Sequence, residues 1–371
     1  MSLRQKMSDL DEFDIGIVGT SLFSAFLAGL LAQKHSKRIA LFLDISVQHQ
    51  ISREINVSFD CQTRPKTWHM LQNGVREALP VLNKIGGGSA IAKTNALLIC
   101  QSEYTSDALS HLYHFLHGEE FEIERLSKNE FKNCLTAYRL SGLKLIRPGV
   151  LWPAILDWLN VIGVPVFNPQ GMSVKIQKDG FARINTPGRS VGLTSLVLAD
   201  EQAILSYGSE RAIDQLFIRN SRIGVLSQPV VGFNEHLVIN PESNFCARQK
   251  LDSTIEILAD GTSNKINAYI NDNILSNALV QQNIIRLSGR SVFSTLKTKD
   301  GAAIVGKMAR TGVWGCAGLG MGRIFFAPAI ARFICGKPSN QEQDYFAARS
   351  GDGRRKSNVL WDGCTPMDNP R

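Results

Sequence analysis

Two turns built from small residues carry the groups best placed to do chemistry. Near the N-terminus, Gly19-Thr20-Ser21-Leu22-Phe23-Ser24 follows an apolar run and opens a helical pattern, and Asp44 ends the next apolar run. Such a turn lets backbone N–H groups and a helix N-terminus approach a pyrophosphate, while an acid after the following strand takes ribose hydroxyls. The spacing that does this is G-x-G-x-x-G. Here Gly19 alone remains, and Ser21 and Ser24 fill the other two positions with side chains still small enough for close approach. On these residues dinucleotide binding and a crossover that binds nothing both stay open. Near the other end, Gly318-Leu319-Gly320-Met321-Gly322 precedes a helical run from Arg323 to Ile334. A glycine loop ending at a helix N-terminus can stabilise negative charge, or can merely let a strand meet a helix.

Other polar groups read more plainly. His111, His114 and His117 recur every third residue on a helix expected over Asp107–His117. At 100° per residue they spread over about 120° of arc, too wide for one ion, so an exposed face and no metal site is expected. His236, beside Glu235, reads as a lone surface histidine. Seven cysteines form no C-x-x-C, which supports neither a disulfide framework nor a zinc site and suits a reduced cytoplasm. The net charge of +8 is scattered apart from Arg354, Arg355 and Lys356, so no nucleic-acid partner is expected. Arg323 and Lys297, close in sequence to the glycine loop, are candidates for contact with substrate or cofactor.

The elements that position these groups begin with a βαβ unit. Phe13–Val18 and Arg38–Leu43 read as buried strands around a helix over Leu22–His35. With 371 residues, 44% hydrophobic and 20% charged, the chain is of ordinary globular composition and long enough for two domains. Met1–Asp14 is polar with four acids, so no signal peptide is expected. The longest apolar run, Leu22–Ala32, is too short for a bilayer, which needs roughly 20 residues. A cytoplasmic protein without membrane contact is the expectation.

Thr298-Lys299-Asp300-Gly301-Ala302-Ala303-Ile304-Val305-Gly306, the glycine loop and Ala327-Pro328 together resemble the end of the FAD-dependent D-amino acid oxidase-like family, which includes glycine and sarcosine oxidases. There a T-x-D-G-x-P-x-I-G segment leads into a glycine loop and an A-P-bearing helix. Segments around Glu124–Glu130, Gly149–Pro153, Gly163–Val166, Met172–Ile176 and Ser195–Ala199 follow in the family's order, so the resemblance covers about residues 12–336. It implies an α/β (α+β) fold: a Rossmann-like FAD domain at 10–80, 148–205 and 290–336, interleaved with a substrate domain at 85–147 and 206–289 on a mostly antiparallel sheet. Residues 337–371 read as a polar tail. The resemblance further implies non-covalent FAD, with Gly19, Thr20 and Ser21 at the pyrophosphate, Asp44 at the ribose and Val174 at the adenine. Gly318, Gly320, Met321 and Gly322 would lie along the isoalloxazine and ribityl chain.

Departures from the family bear on mechanism. Thr295 stands where amino-acid-oxidising members grip the substrate carboxylate with arginine, so a neutral or hydroxyl-bearing group is expected there. Phe293 stands where sarcosine oxidases bond the flavin through cysteine, and Cys316 lacks the surroundings of an attachment site. Ala199-Asp200-Glu201-Gln202-Ala203 places two acids in a turn that should lie near the cofactor. The implied function is an FAD-dependent oxidoreductase that oxidises the C–N bond of a small amine or amino-acid derivative by hydride transfer to flavin N5. No catalytic residue is assigned; Arg323, Lys297 and Thr295 are weak candidates. The alternative is a non-catalytic or accessory FAD-binding subunit of a heteromeric amine dehydrogenase, and a homo- or hetero-oligomer is left open. An NAD-linked dehydrogenase would leave the C-terminal glycine loop without a task.

Overall fold

A computed structural model describes residues 11–46, 50–61, 64–127, 134–177, 181–230, 237–261, 270, 285–308 and 312–351. The expectations for His236 and for the basic run at 354–356 lie outside these residues.

In chain order the elements are β1 (Asp11–Gly19), α1 (Leu22–His35), β2 (Ile39–Leu43), α2 (Pro65–Gly86), β3 (Ile91–Cys100) and α3 (Glu103–Gly118). Next come β4 (Ile123–Arg125), β5 (Thr136–Ile146), α4 (Pro148–Val161), β6 (Val166–Phe167), β7 (Ser173–Ile176), β8 (Ala182–Thr186) and β9 (Arg189–Leu198). Then follow α5 (Glu201–Tyr207), α6 (Glu210–Leu216), β10 (Phe217–Pro229), β11 (Leu237–Asn240), β12 (Phe245–Gln249), β13 (Thr254–Asp260), β14 (Leu287–Thr298), β15 (Ile304–Lys307) and β16 (Trp314–Ala317). A 3-10 turn at Arg323–Phe326 runs into a helix at Ala327–Ile334, and a last helix spans Asn340–Ala347.

The described strands form two sheets, giving the mixed α/β architecture expected. In the first, ordered β15-β16-β9-β1-β2-β6, β1 lies parallel to both β2 and β9, with Ile15 opposite Ile39 and Ser195. A central parallel strand has both faces covered, which is why Ile15, Ile17 and Val18 form a near-continuous apolar run. Every residue of α1 from Leu22 to Leu31 is buried, the pattern of a helix enclosed on all sides. Gly29 is required there, since a Cβ would overlap the Trp158 ring of α4. Ser21 caps the helix in a reciprocal pair with Ser24.

The second sheet runs β14-β10-β13-β12-β11-β3-β5-β4 and is antiparallel except where β11 meets β3. Leu109, Leu112 and Leu116 of α3 pack on its Tyr138 and Leu140 side, which leaves His111, His114 and His117 exposed as read from the sequence. Two expectations are corrected. Residues 290–298, assigned to the first domain, belong to β14, an edge strand of the second sheet paired along β10 from Thr298 opposite Phe217 to Leu287 opposite Ser227. Within 337–371, Asn340–Ala347 is a helix capped by Ser339 and Glu342, with Tyr345 and Phe346 buried in the first core. Two apolar anchors in eight residues left no periodicity to read. No helix of the described residues is long and apolar enough to cross a membrane.

Candidate functional site

A cavity of about 1060 Å³ opens where the two sheets meet, bounded by the β1–α1 turn, the loop after β16 and the paired strands β10 and β14. It brings together Thr20 and Ser21 with Gly318, Gly320 and Met321, although some 300 residues separate the two turns. Arg323, Lys297 and Thr295 line it too. Gly19 sits just behind, where a Cβ would come within 2.5 Å of the Ser24 Cβ and 3.0 Å of Asp200 Oδ2. Gly322 is buried against Leu71. Asp44 ends β2 as expected, but its Oδ1 accepts from the Ser46 N–H at 2.9 Å, and it does not line the cavity. Val174 pairs with Ile184 in β7 and packs on the far side of the first sheet, also away from it.

Four carboxylates that sequence reasoning either missed or did not place hold the centre of the site. The Thr20 N–H donates to Asp200 Oδ2 at 2.6 Å, while Asp200 Oδ1 caps α5 by accepting from the Ala203 N–H at 2.8 Å. The Leu22 N–H donates to Glu54 Oε1 at 3.1 Å, and the Ser21 N–H is taken by Ser24 Oγ. At the other turn, the Gly318 N–H donates to Glu201 Oε1 at 2.9 Å and the Met321 N–H to Asp60 Oδ2 at 3.1 Å. Gly320, at φ 62°, has no room for a side chain because a Cβ would overlap the Asp60 carboxylate.

Arg323 ties the two turns together. Its Nη2 donates to both oxygens of Glu201 at 3.0 Å, and its Nη1 lies 3.7 Å from Glu54 Oε2. Burial opposes the Arg323 charge, but Glu201, Glu54 and Asp200 together outweigh that and raise its pKa above the ordinary value. Burial also raises the pKa of Glu54, against the pull of Arg323 and the Leu22 N–H. The same cause raises that of Asp200, against its two backbone hydrogen bonds. Burial, with Glu201 and Asp200 nearby, pushes the Cys316 thiol up to about 12, which does not suit a nucleophilic thiolate.

The other candidate cations are also engaged. Lys297 forms an ion pair with Asp260, and Arg222 Nε lies 3.4 Å from the same Asp260. Thr295 stands opposite Asn220, and Phe293 opposite Arg222, across the β10–β14 pair. Arg222 was not found from the sequence, because its place beside the cavity depends on a pairing between strands some 70 residues apart.

The residues present fit FAD poorly at its diphosphate. That group needs the N–H groups of the β1–α1 turn, and those of Thr20, Ser21 and Leu22 already donate within the protein. It would also meet Asp200 and Glu54, and two like unit charges 4 Å apart repel by about 4 kcal/mol at an effective dielectric of 20. As the side chains stand, the N–H groups of Thr20, Ser21 and Leu22 are taken, and two acids lie beside them.

No protein-family model and no curated protein matches the chain. Solved structures do. L-proline dehydrogenase from P. horikoshii superposes with a TM-score of 0.71 at 13% identity, over 95% of this chain and 100% of that one. L-amino acid deaminase from Proteus myxofaciens gives 0.70 at 13% identity, over 91% and 93%. Glycine oxidase from Bacillus cereus gives 0.67 at 12% identity, over 90% and 98%. Over nearly its whole described length, this chain has the fold of these amino-acid dehydrogenases, deaminases and oxidases.

Proposed function

We propose that this chain serves the oxidation of a C–N bond in a small amine or amino-acid derivative. The observation that carries the reading is the cavity, in which the small-residue turn, the glycine loop and the β10–β14 face of the second sheet converge. The fold shared with proline dehydrogenase, amino-acid deaminase and glycine oxidase supports it. In this reading FAD is the redox group, and the cavity over the β10–β14 face takes the amine. Phe293 in place of a cysteine supports a non-covalent flavin.

A second reading, an accessory member of an amine-oxidising assembly without redox turnover of its own, is favoured by a specific observation. Asp200, Glu54, Glu201 and Asp60 take the backbone donors of both turns. The two readings separate by colour. A yellow purified protein whose absorbance near 450 nm bleaches anaerobically with an amine supports the catalytic one. A colourless protein whose melting temperature still rises with an amine supports the accessory one. If no member of a panel of amines and N-alkyl amino acids bleaches the protein or raises its melting temperature, the proposal fails.

A further inference from the structure

We infer that the diphosphate seat of this fold is occupied in this chain by the chain's own carboxylates, and that these acids keep free FAD out at neutral pH. The inference rests on the second reading above, and turns its motivating observation into a cause.

Three geometric facts carry it. The first is donor accounting: the N–H groups of Thr20 and Leu22 go to Asp200 and Glu54, so two carboxylates stand where a diphosphate would accept. At the second turn the Gly318 N–H goes to Glu201, and the space that a glycine at 320 leaves open is filled by Asp60. The second fact concerns charge. Arg323, the cation nearest both turns and able to neutralise a phosphate, is committed to Glu201 through a two-oxygen contact and to Glu54 at longer range. The third concerns mobility. Asp200 cannot leave Thr20 without disturbing its second bond, to the Ala203 N–H that begins α5, so this acid is anchored at both oxygens. Carboxylate, backbone donor and guanidinium therefore satisfy one another, and an incoming diphosphate would have to break all three relationships and then remain beside the displaced acids.

The test is a gain of binding. In Glu54→Ala/Asp200→Ser/Glu201→Ala the turn donors and Arg323 are released, while serine keeps a side-chain oxygen to cap α5. The full-length protein and the variant are titrated with FAD at pH 7.5 by calorimetry, with circular dichroism to confirm folding. The expected result is no saturable binding by the wild type at about 100 µM FAD, and affinity at least about tenfold higher in the variant. Should the triple variant not fold, Glu54→Ala alone leaves the α5 cap intact and is expected to raise affinity about threefold or more. A wild type that holds FAD as tightly as the variants overturns the inference and leaves the catalytic reading standing. Folded variants that still refuse FAD overturn it as well, because the acids are then not the cause, and the catalytic reading falls with it.

Discussion

Thr20 and Asp200, 180 residues apart, are joined by an N–H to carboxylate hydrogen bond of 2.6 Å that closes the end of β1 against the start of α5. The bond joins a backbone donor to a buried carboxylate and so ties the turn after β1 to the turn after β9 at the mouth of the cavity. It also occupies the donor that makes this kind of turn useful to a nucleotide.

Asp200→Ala is accordingly expected to destabilise the protein by about 1–3 kcal/mol, from the lost α5 cap and the unsatisfied Thr20 N–H. Asp200→Ser should recover part of that, because it restores the cap without reaching Thr20. Urea unfolding of the three proteins decides the matter, and equal stability of wild type and alanine variant would contradict it.

Removing the guanidinium should be more damaging. Arg323→Met leaves Glu201 and Glu54 buried without their shared cation, and breaking a buried pair from one side costs about 3–5 kcal/mol. Removing acid as well, in Arg323→Met/Glu201→Met, is expected to restore most of the loss. A double-mutant cycle measures the coupling, and strictly additive effects would show that the pair contributes nothing.

The buried acids also give a pH dependence of defined sign. Glu54 has a pKa raised by burial in the folded protein, so the folded state binds its proton more tightly than the unfolded chain does. Its contribution is therefore fully present below the ordinary carboxylate range and is lost as pH rises through the raised value. Relative to Glu54→Gln, which does not titrate, the wild type should gain stability as pH falls from 8 toward 4. Unfolding free energies of both proteins across that range test this, and a difference that grows the other way would mean that Arg323, not burial, sets the Glu54 charge.

These acids mark the boundary of what the sequence makes legible. The βαβ unit was readable because each strand and the helix carry their own periodicity, and the structure returns β1, α1 and β2 within a few residues of the expected bounds. Glu54 and Asp60 lie between β2 and α2, where the described residues form no strand or α-helix, so no period announced where their side chains turn. Asp200 and Glu201 were visible as acids in an awkward place, but their partners, Thr20, Gly318 and Arg323, come from distant segments. Asp44 shows the opposite case: its position was readable, but its carboxylate closes a local turn with Ser46. Asp44→Ala is thus expected to change wild-type stability by no more than about 0.5 kcal/mol.

Substrate choice turns on the β10–β14 pairing. Thr295 alone suggested that a substrate carboxylate would find no partner, but the pairing sets Arg222 opposite Phe293 on the face that carries Thr295 and Lys297. Among the described residues Arg222 and Lys297 both pair with Asp260, so on the β10–β14 face two cations share one carboxylate. Arg222 Nε stands 3.4 Å from Asp260 Oδ1, and its Nη2 donates to the Asn244 carbonyl at 3.3 Å. A buried carboxylate requires a cation within reach, and this surplus supplies one without an arginine at 295. Sarcosine and proline are therefore expected to raise the melting temperature more than dimethylamine and pyrrolidine, the same amines without the carboxylate. Arg222→Gln should abolish that advantage while leaving the response to the plain amines unchanged. Equal shifts for both ligand classes in the wild type would return Thr295 to the role of contact for a neutral group and leave the Arg222–Asp260 pair a purely structural one.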